Sequence, residues 1–264
     1  MPSILRPSPA DMTRRIIVMA TAVFAILIPQ VQMGLGWGQS AAEFASDSDA
    51  TLRVIGWAFA IWGVIYLGLA AYAIRQVLPQ TGESDVLKAF GWPSALAFAG
   101  IGLWIIAAAF DWEVATIVLI FGSLTVLLIP LLAHARGIRA LRLGDRDRWL
   151  TVWPLSLLAG WLTVAAPVNL ITVATGNGDL PAMASPTVWA VLAVVLVGLV
   201  AVAVTWRIRT IAYSLPILWG LVGVFVAEQS RNGTLAFTAA IIAVATLVGA
   251  VVITLAWRRR IERV

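Results

Sequence analysis

Residues 149 to 173, WLTVWPLSLLAGWLTVAAPVNLITV, run for 25 positions without a charge. At about 1.5 Å per residue such a run crosses a bilayer with some tilt, and a helix satisfies its own backbone there. At helical spacing Trp153, Leu157, Trp161, Ala165 and Asn169 fall four apart and share one face. Lipid contact requires neither indole rings nor an amide, so this face is expected to turn toward a bundle interior. Gluing neighbouring helices together is the alternative role for the same side chains. Pro154 and Pro167 flank Trp161, and each frees a backbone carbonyl that a neighbour has to satisfy.

Seven further apolar runs accompany it. They cover about 16–33, 54–74, a stretch opened by Trp92-Pro93 and closed by Asp111-Trp112-Glu113, a fourth ending near Ala135, and then 187–206, 210–227 and 234–257. Proline suits the first helical turn, so Pro93 is read as a helix start. The chain is therefore expected to be an all-α integral membrane protein of eight transmembrane helices. Alternating the loops puts three, two, five, two and four basic residues on one side, 16 of the 18, and only Arg53 and Arg231 on the other. That asymmetry predicts both termini in the cytoplasm of a bacterial-type inner or plasma membrane. The 34–51 loop, with Glu43, Asp47 and Asp49, then lies outside. Thr13-Arg14-Arg15 faintly resembles a twin-arginine signal, but no cleavage site follows, and the first span is read as retained.

The residues that are missing narrow the chemistry. Of 264 residues 61% are hydrophobic and 12% charged, so the net charge of +5 orients a membrane protein and does not point to nucleic acid. The absence of cysteine removes disulfides, thiolate metal sites and cysteine nucleophiles. No charged residue falls in the middle of a span, although proton- and ion-coupled carriers usually keep one there. Glu228, at the end of the seventh span, comes nearest and is expected at the interface. One histidine, His134, cannot give bis-histidine haem ligation, and the one lysine, Lys88, lies in a loop. No metal site, catalytic triad or phosphate-cradling glycine loop is present in the pattern, so enzymatic activity is not favoured. What remains is shape, aromatic faces and neutral hydrogen-bonding groups.

Those groups gather in one half of the bundle. In the second span Phe59, Trp62 and Tyr66 stand at i, i+3 and i+7. The third contributes Trp104, and the fifth Trp161, Ala165 and Asn169. Counting inward from the span ends, these residues belong to the half of the bundle beneath the 34–51 loop. Trp92, Trp149, Trp189, Trp206 and Trp257 sit at span ends, where indoles form interfacial belts. Ordinary core packing is the competing explanation for the central set.

FAIWGVIYLGLAAYAIRQ resembles the second helix of the tryptophan-rich sensory protein/translocator protein family (TspO, the peripheral-type benzodiazepine receptor). WPLSLLAGWLTVAAPVNL resembles its fifth, in which a Pro, a Trp, an Ala four later and an Asn four after that recur. Gly56-Trp57 stand where the family usually has a proline pair and a Trp. The resemblance covers about 16–175. It implies a five-helix bundle over residues 1–175 and a three-helix extension over 176–264, similar to a longer branch of tryptophan-rich proteins. It further implies that Trp62, Trp161, Ala165 and Asn169, with Phe59, Tyr66 and Trp104 beside them, border a pocket for a flat lipophilic ligand. Porphyrin, haem and sterols are candidates, with no covalently bound cofactor. A sensor or receptor is the expected role; a transporter of a lipophilic solute, a tetrapyrrole-degrading enzyme using Trp62 and Trp161, and a ligand-free structural subunit are the alternatives. The expected partners are the lipid bilayer and the small molecule, with a homodimer left open.

Overall fold

The computed structural model describes residues 8–45, 51–78 and 85–261. Asp47 and Asp49, placed on the outer loop by sequence, lie outside the described residues, as does the C-terminal Arg263. Among the described residues ten α-helices follow one another: α1 (Pro9–Leu35), α2 (Ala41–Ala45), α3 (Ile61–Val77), α4 (Asp85–Ala109), α5 (Glu113–Ala133), α6 (Ala135–Ala140), α7 (Trp153–Gly176), α8 (Pro186–Ile208), α9 (Ser214–Glu228) and α10 (Gly233–Ile261). All but α2 and α6 belong to eight segments long and apolar enough to span a membrane. The expected eight-span, all-α membrane architecture is what the chain adopts.

Local chemistry sets several boundaries. Ser8 caps α1 by accepting the Asp11 amide with Pro9 in the first turn, and Ser185 and Pro186 repeat the device at α8. The turn from α4 to α5 passes through Asp111 at φ 58°. Gly38, at φ 55°, lies so close to the Ala109 carbonyl that no Cβ fits.

Three spans begin differently from the sequence expectation, the first of them α1, which starts at Pro9 and not at Ile16. Pro93 lies inside α4, which starts at Asp85 and not at Trp92. Hydroxyls reach the carbonyls near it: Tyr72 donates to that of Phe90 (3.2 Å) and Ser94 to that of Gly91 (2.8 Å). The second span opens with a 3₁₀ turn, Gly56–Ala60, before α3. There the Trp219 indole of α9 donates to the Ala58 carbonyl (2.7 Å).

That bond belongs to a clasp between the start of the second span and α9. Glu228 accepts the Arg53 backbone N–H (3.1 Å), and the Ile55 N–H bonds the Gly223 carbonyl (3.2 Å). A Cβ on Gly223 would sit 2.9 Å from that of Ala58, so glycine permits the approach. Glu228, the last residue of its span as expected, is only 1% exposed and acts there as a buried fastener.

Spans α4 and α7 are the most enclosed, with 67% and 72% of their apolar windows buried. They form the centre of the bundle, as the uncharged 149–173 run suggested. Alternate loops meet at one end through Gln39 and Asp111 (3.2 Å), Asn177 and Glu113 (2.7 Å), and Asn232 and Thr187 (2.9 Å). At the arginine-rich end, Arg75 and Asp147 form a buried pair at 3.0 Å.

Candidate functional site

Beneath the arginine-poor end, four aromatic rings converge from three membrane spans, the second, third and fifth. Phe59 comes from the 3₁₀ turn, Trp62 from α3, Trp104 from α4 and Trp161 from α7. Together with Ile101, Ile120, Leu162 and Ala165 they line a cavity of about 30 Å³. A second cavity of the same size adjoins it, shares Phe59, Trp104, Ile120, Trp161 and Ala165, and adds Phe44, Val54, Val164, Val168 and Asn169. Ala165 borders both, and its short side chain is one reason that space remains.

The rings meet edge to face. Trp161 lies 6.4 Å from Trp62 at 81° and 5.9 Å from Phe59 at 83°. These are favoured aromatic geometries. They also mean that a flat molecule can lie against one ring face while meeting the edge of the next, and is not sandwiched between two parallel indoles. Tyr66 stacks on Trp62 (5.1 Å, 28°) and backs that ring without lining either cavity.

Asn169 is 3% exposed and already engaged. Its Oδ1 accepts from the Trp104 indole (2.9 Å) and its Nδ2 donates to the Thr116 hydroxyl (2.9 Å), which in turn donates to the Glu113 carbonyl. The amide thereby ties α7 to α4 and α5 and fixes the tilt of Trp104. One N–H and one lone pair of Asn169 stay free for another partner.

The cover comes from α2. Ser40 and Glu43 cap it reciprocally: the Ser40 N–H donates to the Glu43 carboxylate (2.7 Å) and the Glu43 N–H to the Ser40 hydroxyl (3.2 Å). The Ser40 N–H, and after it the Ser40 side chain, hold the exposed Glu43 carboxyl below its ordinary value. Phe44 then drops its ring edge onto Trp104 (5.8 Å, 88°).

All seven residues singled out from the sequence fall in this region, six of them on cavity walls and Tyr66 one layer behind. Phe44, Ile101, Ile120 and Thr116 were not singled out. Ile120 is an unremarkable apolar residue of a span, and nothing local distinguishes it from a lipid-facing one. Thr116 had a signal, because a hydroxyl near the start of an otherwise apolar span implies a bonding partner. Trp189, expected in the interfacial belt, is half-buried and donates to the Pro181 carbonyl (3.0 Å).

A family model described as TSPO-like protein matches residues 15–254, from the first span through the last. Comparison with curated proteins and with solved structures finds no match.

Proposed function

The chain belongs to the TSPO-like protein family, and on that premise we propose that it binds a flat lipophilic ligand, tetrapyrrole- or sterol-like, at the aromatic cluster as a sensor or receptor. The observation that carries this reading is the convergence of Phe59, Trp62, Trp104 and Trp161 on apolar space beside Ala165. Native cores are packed nearly without voids, and two adjoining cavities walled by aromatic faces are a natural place for a planar guest to enter.

Small-molecule sites usually enclose about 300–1,000 Å³, so the two cavities of about 30 Å³ describe a closed site. The ligand opens it by separating the Phe44 cover from Trp104 and parting α3 from α7. Helices α8–α10, the proposed three-helix extension after residue 175, brace the site from outside. Through Trp219 and Glu228 they hold the segment that carries Phe59. The cluster lies near the external surface and both termini in the cytoplasm, because 16 of the 18 basic residues fall at the opposite end.

A screen of protoporphyrin, haem, sterols and carotenoids against the purified protein tests this. Saturable quenching of tryptophan emission without flux supports the binder. Concentrative uptake into proteoliposomes would make the protein a transporter, and no saturable binding by any of the four classes would leave a structural subunit.

A further inference from the structure

The opposite face of α7 borders a much larger space. A groove of about 690 Å³ runs between α5, α7 and α8. Thr163, Pro167 and Ile171 of α7 face it, each two residues and so roughly half a helical turn from Ala165 or Asn169 of the aromatic cluster. Its volume lies within the range of about 300–1,000 Å³ typical of small-molecule sites, and no ring needs to move to create it. Along α8 it extends from Trp189 to Val200, about 16 Å, or about half of a hydrocarbon core of roughly 30 Å. That is the depth of one leaflet, suited to a single extended chain.

The two ends differ in chemistry. Toward the middle of the membrane the walls are aliphatic, with Ala193 and Leu196 among them. The outer mouth carries Asp179, whose side chain is exposed. Glu113, held by Asn177 at 2.7 Å, and Asp111 add negative charge at the same end. Arg231, one of the two cations there, already pairs with Glu228 at 3.7 Å. A cation at the mouth is attracted, and an anionic head is repelled.

We propose that this groove is a second binding site, for a single-chain amphiphile with an ammonium head: the chain lies along α8 and the head rests beside Asp179. A two-chain phospholipid is disfavoured because its phosphate would meet the acidic mouth. The site is independent of the aromatic cluster, and its occupant needs no flat ring.

The test places the protein in phosphatidylcholine nanodiscs and titrates it with brominated dodecyltrimethylammonium, following quenching of Trp189. The proposal expects saturable quenching, largely removed by Trp189→Phe. Filling the groove with Ala193→Phe should weaken binding by about tenfold or more, and Asp179→Asn by about threefold to tenfold. Leu196→Phe, at a position that is already 59% exposed, repeats the obstruction without loading the core. Brominated dodecanoate should not saturate, and Ala165→Leu should leave the ammonium probe unaffected. Equal binding of the carboxylate, indifference to both obstructing variants, or loss only in Ala165→Leu would overturn the proposal. So would quenching by brominated phosphatidylcholine that the ammonium probe cannot displace, because bilayer lipid would then fill the groove.

Discussion

Replacing Asn169 by Leu removes an amide from the middle of the bundle and strands the indole N–H of Trp104. Thr116 is less affected, because its hydroxyl keeps the Glu113 carbonyl as acceptor. Trp104 is only 8% exposed, so water cannot readily replace the lost partner. In soluble proteins a buried unsatisfied donor costs about 1–3 kcal/mol. Interhelical hydrogen bonds in bilayers average about 0.6 kcal/mol and reach about 1.7, which sets the lower scale for this one. Asn169→Leu is therefore expected to cost about 1–2 kcal/mol. Trp104→Phe removes the donor and leaves the amide with an idle oxygen. In the double variant neither partner is stranded, and the cycle should give a coupling of about 1 kcal/mol. Equilibrium unfolding in mixed micelles, followed by circular dichroism, measures all four proteins without relying on the indole being replaced. Additivity within about 0.3 kcal/mol would refute the brace.

Three further expectations come from other parts of the molecule. The reciprocal Ser40–Glu43 cap depresses the Glu43 pKa, so its stabilisation is fully present above the ordinary glutamate value of 4.5 and is lost as pH falls through the lower folded value. Protection of the Ala41–Ala45 amides, relative to their intrinsic exchange rates, should fall below about pH 4, and Glu43→Gln should abolish that step. Ligand affinity at the aromatic cluster should be flat between about pH 5.5 and 8.5 apart from the ligand's own titration, since no lining residue titrates there; a protein-derived transition removed by changing His134 or Glu228 would contradict this. The native chain has no cysteine, so in intact cells an impermeant maleimide should label Met183→Cys but not Gly144→Cys, and the opposite pattern would invert the proposed orientation.

Much of the architecture could be derived from the sequence because lipid imposes simple rules. A charge-free run of sufficient length must be helical, and the distribution of arginines sets the helix count. The inward face of α7 was visible in part: Trp161 and Asn169 are buried as expected, whereas Trp153 and Leu157, on the same four-residue spacing, are only half-buried. What escaped was local repair by distant groups. Pro93 looks like a helix start until Tyr72 and Ser94 are seen meeting the carbonyls around it. The 3₁₀ turn at Gly56–Ala60 depends on Trp219, more than 150 residues away in sequence. Glu228 resembles an ordinary interfacial acid, and only the fold shows that it accepts the Arg53 amide. The groove beside α8 was hidden in principle, because its walls are the aliphatic residues that any membrane span presents.

The central claim concerns the space beside Ala165. Leucine there adds three carbons where two cavities of about 30 Å³ adjoin. At about 24 cal/mol per Å³, filling both recovers up to about 1.4 kcal/mol and offsets an overpacking cost of about 1–3 kcal/mol. The variant should therefore stay folded. Protoporphyrin titration and thermal melting of the same samples give the decisive comparison. The account predicts that Trp161→Phe weakens binding modestly, Trp161→Ala more and Ala165→Leu most, with Ala165→Leu melting close to the parent protein. A folded Ala165→Leu protein that binds protoporphyrin with the parent's affinity would contradict it.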